Sequence, residues 1–182
     1  MKISVYIATS LDGFIARENG NLDWLPGSDG SEDGSGEDYG YHDFIESVDV
    51  LVMGRYTFEK VLSFGEWSYG KTKVIVLNSK EIEIPKSIKE TVESRSCSPA
   101  ELVEELRQAS AKHLYIDGGK TIQGFLKAGL IDELIITTVP VLIGKGLPLF
   151  GALEQDIKLQ LIESRSFEKG FVQSKYKILK QE

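Results

Sequence analysis

The sequence predicts an α/β fold in which a mostly parallel mixed sheet carries helices on both faces and closes with an antiparallel C-terminal hairpin. Three patterns predict it. Short apolar, β-branched runs at Ile3–Thr9, Val50–Met53, Lys73–Leu77, His113–Ile116 and Asp132–Val139 alternate with helical segments, as buried parallel strands joined by crossover helices do. Twice a strand passes through glycine straight into a helix, at Met53-Gly54-Arg55-Tyr56-Thr57 and at Asp117-Gly118-Gly119-Lys120-Thr121. The tail alternates apolar and polar residues with period two over Lys158–Glu163 and Val172–Leu179, on either side of Glu168-Lys169-Gly170, which reads as the hairpin.

Taken in order, Ile3–Thr9 is a strand buried on both faces, near the sheet centre, broken at Asp12-Gly13. Residues Gly27–Asp38 read GSDGSEDGSGED, with four glycines, five acids and no apolar side chain. Such a segment cannot pack and is expected to be a mobile loop bordering the active site. His42–Ser47 ends a short helix with Phe44, Ile45 and Val48 turned to the core. Ser98-Pro99-Ala100-Glu101 has the form of a capping box with proline at the first helical position, and Leu102, Val103, Leu106 and Ala109 carry that helix to about Ala111. Thr121–Ala128 is a helix stopped by Gly129. In the tail, Val172–Leu179 is the edge open to pairing with another chain, although Lys175, Lys177 and Lys180 can shield it.

The 182 residues suit one domain, 1–182, with 41% hydrophobic and 27% charged residues. No apolar run is long enough to cross a bilayer, and Met1–Ile7 turns polar too soon for a signal peptide, so a cytoplasmic location is expected. Cys97 is the single cysteine, with only His42 and His113 as further soft ligands, so neither a disulfide nor a structural metal is expected. A net charge of −7 disfavours nucleic acid. A small anionic cofactor remains compatible, because a few local donors hold it.

Asp117–Thr121 places glycines between a strand and a helix, where unpaired N–H groups face the carboxyl edge of the sheet and Lys120 or Thr121 adds a donor. The same glycines also suit a plain tight turn. A Walker loop is excluded because Leu114 stands where its first glycine belongs, and no GxGxxG run occurs here; Leu149 likewise breaks one after Gly144-Lys145-Gly146. At the other turn, Arg55 could fork onto a phosphate such as the 2′-phosphate of NADPH, or simply be a surface arginine. Asn78, Ser79 and Lys80 end the third strand with small donors and a cation. Three strand ends with donors on one edge favour a dinucleotide.

Val50–Glu59 and Ile116–Lys120 resemble the two cofactor turns of dihydrofolate reductases, and Ile7–Ala16 resembles their opening strand and loop. Pro140–Phe150, with Asp12-Gly13, is similar instead to the reductase half of the bifunctional riboflavin-biosynthesis deaminase-reductase. These stretches stand in family order across nearly the whole chain. The resemblance implies a dihydrofolate-reductase-like three-layer α/β/α domain, a homodimer, and an NADPH-dependent reductase acting on a small-molecule substrate. By it, Gly54, Arg55 and Thr57 meet the 2′-phosphate or diphosphate. Asn78, Ser79 and Lys80 meet the adenosine phosphate end, and Gly118, Gly119, Lys120 and Thr121 the diphosphate, while Ala8, Ile15 and Ala16 frame the nicotinamide. A cis peptide between Gly118 and Gly119 is also implied.

On the substrate side, Asp38 is the best-spaced carboxylate for assisting protonation, sixteen residues before Gly54, with Glu37 and Asp43 nearby. Trp24 matches a tryptophan bordering the site. Because the deaminase signature is absent, the expected reaction is reduction alone, of the 5-amino-6-(5-phosphoribosylamino)uracil type on a heterocyclic or sugar-like substrate. Dihydrofolate reduction is the nearest alternative, and a non-catalytic binding or dimerisation module that keeps the fold is another.

Overall fold

The computed structural model describes residues 1–28 and 36–180, so most of the expected mobile loop, residues 29–35, lies outside the described residues. The chain opens with β1 (Lys2–Ser10), β2 (Phe14–Ala16), α1 (Tyr41–Glu46), β3 (Val50–Gly54) and α2 (Arg55–Leu62). It continues through β4 (Lys73–Leu77), β5 (Val92–Arg95), α3 (Pro99–Gln108), β6 (His113–Asp117) and α4 (Gly119–Lys127). It closes with β7 (Glu133–Val139), β8 (Leu147–Pro148), β9 (Leu159–Ser166) and β10 (Val172–Ile178).

Eight strands form one sheet in the order β5-β4-β3-β6-β1-β7-β10-β9. From β5 to β7 every pairing is parallel, and β10 runs antiparallel to both β7 and β9. β1 is central, as its apolar run predicts. Alternation along the strands feeds two cores. Val50, Val52, Ile75, Leu114, Ile116 and Leu134 pack with Leu102 and Leu106 of α3 and Ile122 and Phe125 of α4. Leu51, Met53, Val74, Val76 and Tyr115 pack on the opposite face with Phe44 of α1 and Phe58 of α2. The fold is therefore the dihydrofolate-reductase-like three-layer α/β/α arrangement.

The helix ends follow local chemistry. Ser98 Oγ accepts the Glu101 N–H at 3.3 Å while Glu101 Oε2 accepts the Ser98 N–H at 2.8 Å, completing the capping box. α3 stops before the expected Ala111 because Ser110 turns left-handed at φ +63°, and the Ala111 N–H closes back to the Leu106 carbonyl. α4 starts two residues earlier than Thr121, since Gly118 is its N-cap. Gly129, at φ +64°, ends it through bonds from Gly129 to Leu126 and from Leu130 to Phe125.

The tail corrects one expectation. Val172–Ile178 lies between β7 and β9, and the open edge is Leu159–Ser166. The reason is that β10 pairs through Gln173–Lys177 with Thr137–Glu133, satisfying the groups that the sequence left unpaired. Three further strands have no clear sequence signal: β5, and the short β2–β8 pair, which is too brief for any periodicity.

At the amino edge of the sheet, His113 is 7% exposed and held between Ser4 and Ser47. Its Nε2 lies 2.9 Å from Ser4 Oγ, and its Nδ1 3.0 Å from Ser47 Oγ and 3.1 Å from the Ser47 carbonyl. Burial, and then the neighbouring Lys2 charge, lower its pKa below the usual histidine value. The unfolded chain therefore binds this proton more readily, so stability is full above the ordinary histidine pKa and is lost as pH falls through the lowered value. Urea midpoints measured across this window should drop with acidification, and His113→Gln should remove that part of the slope.

Candidate functional site

Neighbouring strands β3 and β6 end level with each other, Met53 pairing with Asp117. The helices that follow them depart onto opposite faces, α2 to the Phe58 core and α4 to the Ile122 core. A crevice opens at such a switch point, at the carboxyl ends of the strands. Both helices start on glycine, Gly54 at φ −85° and Gly118 at φ +89°, without a side-chain cap. Their first-turn N–H groups therefore face the crevice free of intrahelical partners.

The two turns interlock. A Cβ placed on Gly54 would stand 2.8 Å from Thr121 Oγ1, and one on Gly118 would overlap Thr57 Oγ1. Each glycine leaves room for the threonine of the other turn, which brings Thr57 and Thr121 together at the crevice. Gly54 is thus required by close approach alone, and Gly118 by close approach and by its positive φ. The peptide bonds of the described residues are all trans, Gly118–Gly119 included, which corrects the cis bond implied by the resemblance. Gly118 makes the turn through its own φ.

Cations gather at the same place. The Arg55 guanidinium lies 4.9 Å from the centre of the Tyr56 ring, and Lys120 Nζ lies 5.9 Å from it. Tyr56 itself is 67% exposed. Arg55 also faces Glu59, Nε to Oε1 at 3.4 Å, a contact in solvent that holds the guanidinium loosely. At the end of β4, the Asn78 N–H is bonded to the Arg95 carbonyl at 2.9 Å, but Asn78 Nδ2 is buried with no partner among the described residues. Ser79 and Lys80 are exposed just beyond.

The loops after β1 and β7 close over the second turn. Ile15 Cδ1 would come within 2.9 Å of a Cβ on Gly119, with the Pro148 carbonyl at 3.4 Å. A Cβ on Gly146 would overlap the Ala16 carbonyl. Asp12 joins the two loops, its carboxylate accepting the N–H groups of Ile143 at 3.3 Å and Gly144 at 2.8 Å. Ala8, three residues past the last β1–β6 pair of Val5 with Ile116, lies on the same edge.

The two substrate-side candidates occupy different surroundings. Trp24 is buried against Val139 and Phe171, and its indole N–H has no acceptor among the described residues. Asp38 is exposed and its carboxylate accepts the N–H groups of Gly40 at 2.9 Å and His42 at 3.1 Å, ahead of α1. Those bonds hold its pKa below the ordinary carboxylate value, so it stays an anion at neutral pH. Asp117 behaves oppositely. It ends β6 beside the crevice, its Oδ1 accepts the Gly118 N–H at 2.8 Å, and burial raises its pKa to about 6. Sequence reasoning quoted Asp117 only as part of a glycine turn; the usable signal was a carboxylate closing a run of four buried strand residues.

This geometry defines a dihydrofolate-reductase-like domain whose glycine turns meet at one sheet edge, and sequence comparison narrows the class. The RibD C-terminal domain profile matches residues 1–173, so the chain belongs to that family. It is 36% identical over 169 residues to YwjB of Bacillus subtilis (strain 168), a protein of uncharacterized function, covering 91% of this chain and 92% of that one. A crystal structure from Shewanella sp. PV-4, provisionally assigned to riboflavin biosynthesis, superposes with a TM-score of 0.91 at 40% identity over 99% of this chain and 100% of its own. A Thermotoga maritima deaminase and 5-amino-6-(5-phosphoribosylamino)uracil reductase shares the fold, with a TM-score of 0.73 at 16% identity, over 98% of this chain and 56% of its own.

The interlock predicts an ordered pair of defects. Gly54→Ala should cost about 1 to 3 kcal/mol by overpacking against Thr121, and Gly118→Ala more, since it adds a left-handed φ to the clash. Removing the opposing hydroxyl with Thr121→Ala should recover most of the first loss, while Thr57→Ala should recover only part of the second. Urea unfolding of the single and double variants measures both.

Proposed function

We propose that the chain is an NADPH-dependent reductase of the riboflavin-pathway type. The observation that carries this reading is the junction of two uncapped helix N-termini, locked by Thr57 and Thr121, with Arg55 and Lys120 on one exposed ring. Free N–H groups and helix dipoles at a glycine-lined crevice suit a diphosphate. The unpartnered Asn78 Nδ2 offers a further donor at the next strand end. In this reading Gly54, Thr57, Gly118, Gly119 and Thr121 hold the diphosphate, Arg55 and Lys120 a 2′-phosphate, and Asn78, Ser79 and Lys80 the adenosine end. Ala8, Ile15 and Ala16 frame the nicotinamide.

When bound, the nicotinamide supplies the hydride, so the protein's tasks are alignment and delivery of one proton. Asp117 is the better proton source of the two carboxylates. Its raised pKa keeps part of it protonated near neutrality, whereas Asp38 is committed to the N–H groups before α1. Asp38 then serves to fix the start of α1, and Trp24 borders the substrate side. Membership of the RibD C-terminal domain family supports reduction of an aminopyrimidine riboside or a related heterocycle, and the homodimer implied by the resemblance would use the exposed β9 edge, where Leu159, Leu161 and Ile162 face solvent.

Two measurements test this. Titration with NADPH and NADH should show that Arg55→Ala weakens NADPH by about 1.5 to 3 kcal/mol and NADH much less; equal losses remove the 2′-phosphate role. For the proton, turnover should fall as pH rises through about 6, the value at which Asp117 loses its proton. Asp117→Asn should lower kcat and abolish that limb, while Asp38→Asn should leave it in place.

A further inference from the structure

Tyr56 is the second residue of α2 and Lys120 the second residue of α4, one beside each of the interlocked turns. Tyr56 belongs to none of the three apolar clusters and stacks on no other aromatic ring among the described residues. A single aromatic side chain in solvent is ordinary on a protein surface. What surrounds this one is not ordinary.

The Arg55 guanidinium at 4.9 Å and Lys120 Nζ at 5.9 Å both lie within the range at which the quadrupole of a ring attracts a cation. One comes from each turn, so the register of β3 with β6 brings two like charges to the same spot. Like charges held together oppose each other unless something offsets them. Carboxylates do little of this here. Lys120 forms no ion pair among the described residues, and Arg55 has only its solvent contact with Glu59. A ring holds a cation in another way, because its face attracts the charge without cancelling it and leaves the in-plane N–H donors of a guanidinium free for a second acceptor. Both cations therefore keep their full charge beside the uncapped helix ends.

We propose that Tyr56 is a positioning residue for cofactor choice: its ring presents Arg55 and Lys120 together to the 2′-phosphate that distinguishes NADPH from NADH. This rests on the reductase reading and deepens it by one residue, which the sequence showed only as part of a glycine turn. A phosphate dianion can take a forked contact from Arg55 and a point charge from Lys120 at once, and its own charge offsets their repulsion. The 2′-hydroxyl of NADH is neutral and gains little from the pair. Without the ring, the two long side chains separate in solvent, and the phosphate must order them as it binds. The ring face carries this role, and the phenol hydroxyl has no part in it.

The experiment titrates NADPH and NADH by calorimetry into the wild-type protein, Tyr56→Phe and Tyr56→Leu at one ionic strength. The wild type is expected to prefer NADPH, and Tyr56→Phe to keep that preference because it keeps the ring. Tyr56→Leu should weaken NADPH by about fivefold to tenfold, the scale of two exposed cation–π contacts, and leave NADH within about twofold. Its urea midpoint should match the wild type, since the side chain is 67% exposed. In a Lys120→Ala background the effect of Tyr56→Leu on NADPH should shrink to about twofold, because the ring then holds one cation. Unchanged NADPH affinity in Tyr56→Leu, equal losses for both cofactors, a phenylalanine variant as weak as the leucine one, or full additivity with Lys120→Ala would overturn the proposal. A wild-type protein that binds NADH as tightly as NADPH overturns it too, while leaving a dinucleotide reductase standing. Wild-type protein that takes up neither cofactor overturns the reductase reading itself.

Discussion

Mutual exclusion between Gly54 and Thr121, and between Gly118 and Thr57, holds the candidate site together. Strands β3 and β6 can run side by side to the same level only if the turns that follow them fit into each other, and a side chain on either glycine would fill the space of a threonine. Once they fit, several features follow from one contact. Two helix N-termini open onto one crevice, two threonine hydroxyls stand there, and Arg55 and Lys120, one from each turn, reach the same tyrosine ring. The helices must then leave on opposite faces, which divides the core in two.

Electrostatics divide the site in the same way. On the turn side the fixed charges are cationic, Arg55 and Lys120, and the free backbone N–H groups add to them. Opposite them stand two carboxyl groups, Asp117 at the end of β6 and Asp38 ahead of α1. The two acids differ in state because their surroundings differ: Asp38 gains two N–H donors in solvent, and Asp117 gains one and loses its water. The groove of about 640 Å³ bounded by Leu126, Ile131, Leu153 and Ile178 lies past the far end of α4, and has no part in this division.

Much of this was legible in the residue order. The apolar runs, the Ser98 capping box, the Gly129 stop and the two glycine turns are local signals, each decided within a few residues by sterics or by a nearby hydrogen bond, and all appear close to where the sequence predicts them. The less local features were not. β5 and the β2–β8 pair depend on partners more than fifteen residues distant. The open edge of the sheet passed from β10 to β9 because pairing with β7 is a long-range choice that alternation does not encode.

The sequence by itself determined the fold class, the order of the strand ends and the residues that could donate to a phosphate. Those depend on backbone propensity and on side-chain chemistry carried by each residue. Tertiary structure alone decided that the glycines make room for each other's threonines, that Lys120 shares a ring with Arg55, and that Asp117 rather than Asp38 is the carboxyl set apart from water. These are matters of distance and burial between segments some sixty to eighty residues apart, which composition and spacing do not carry.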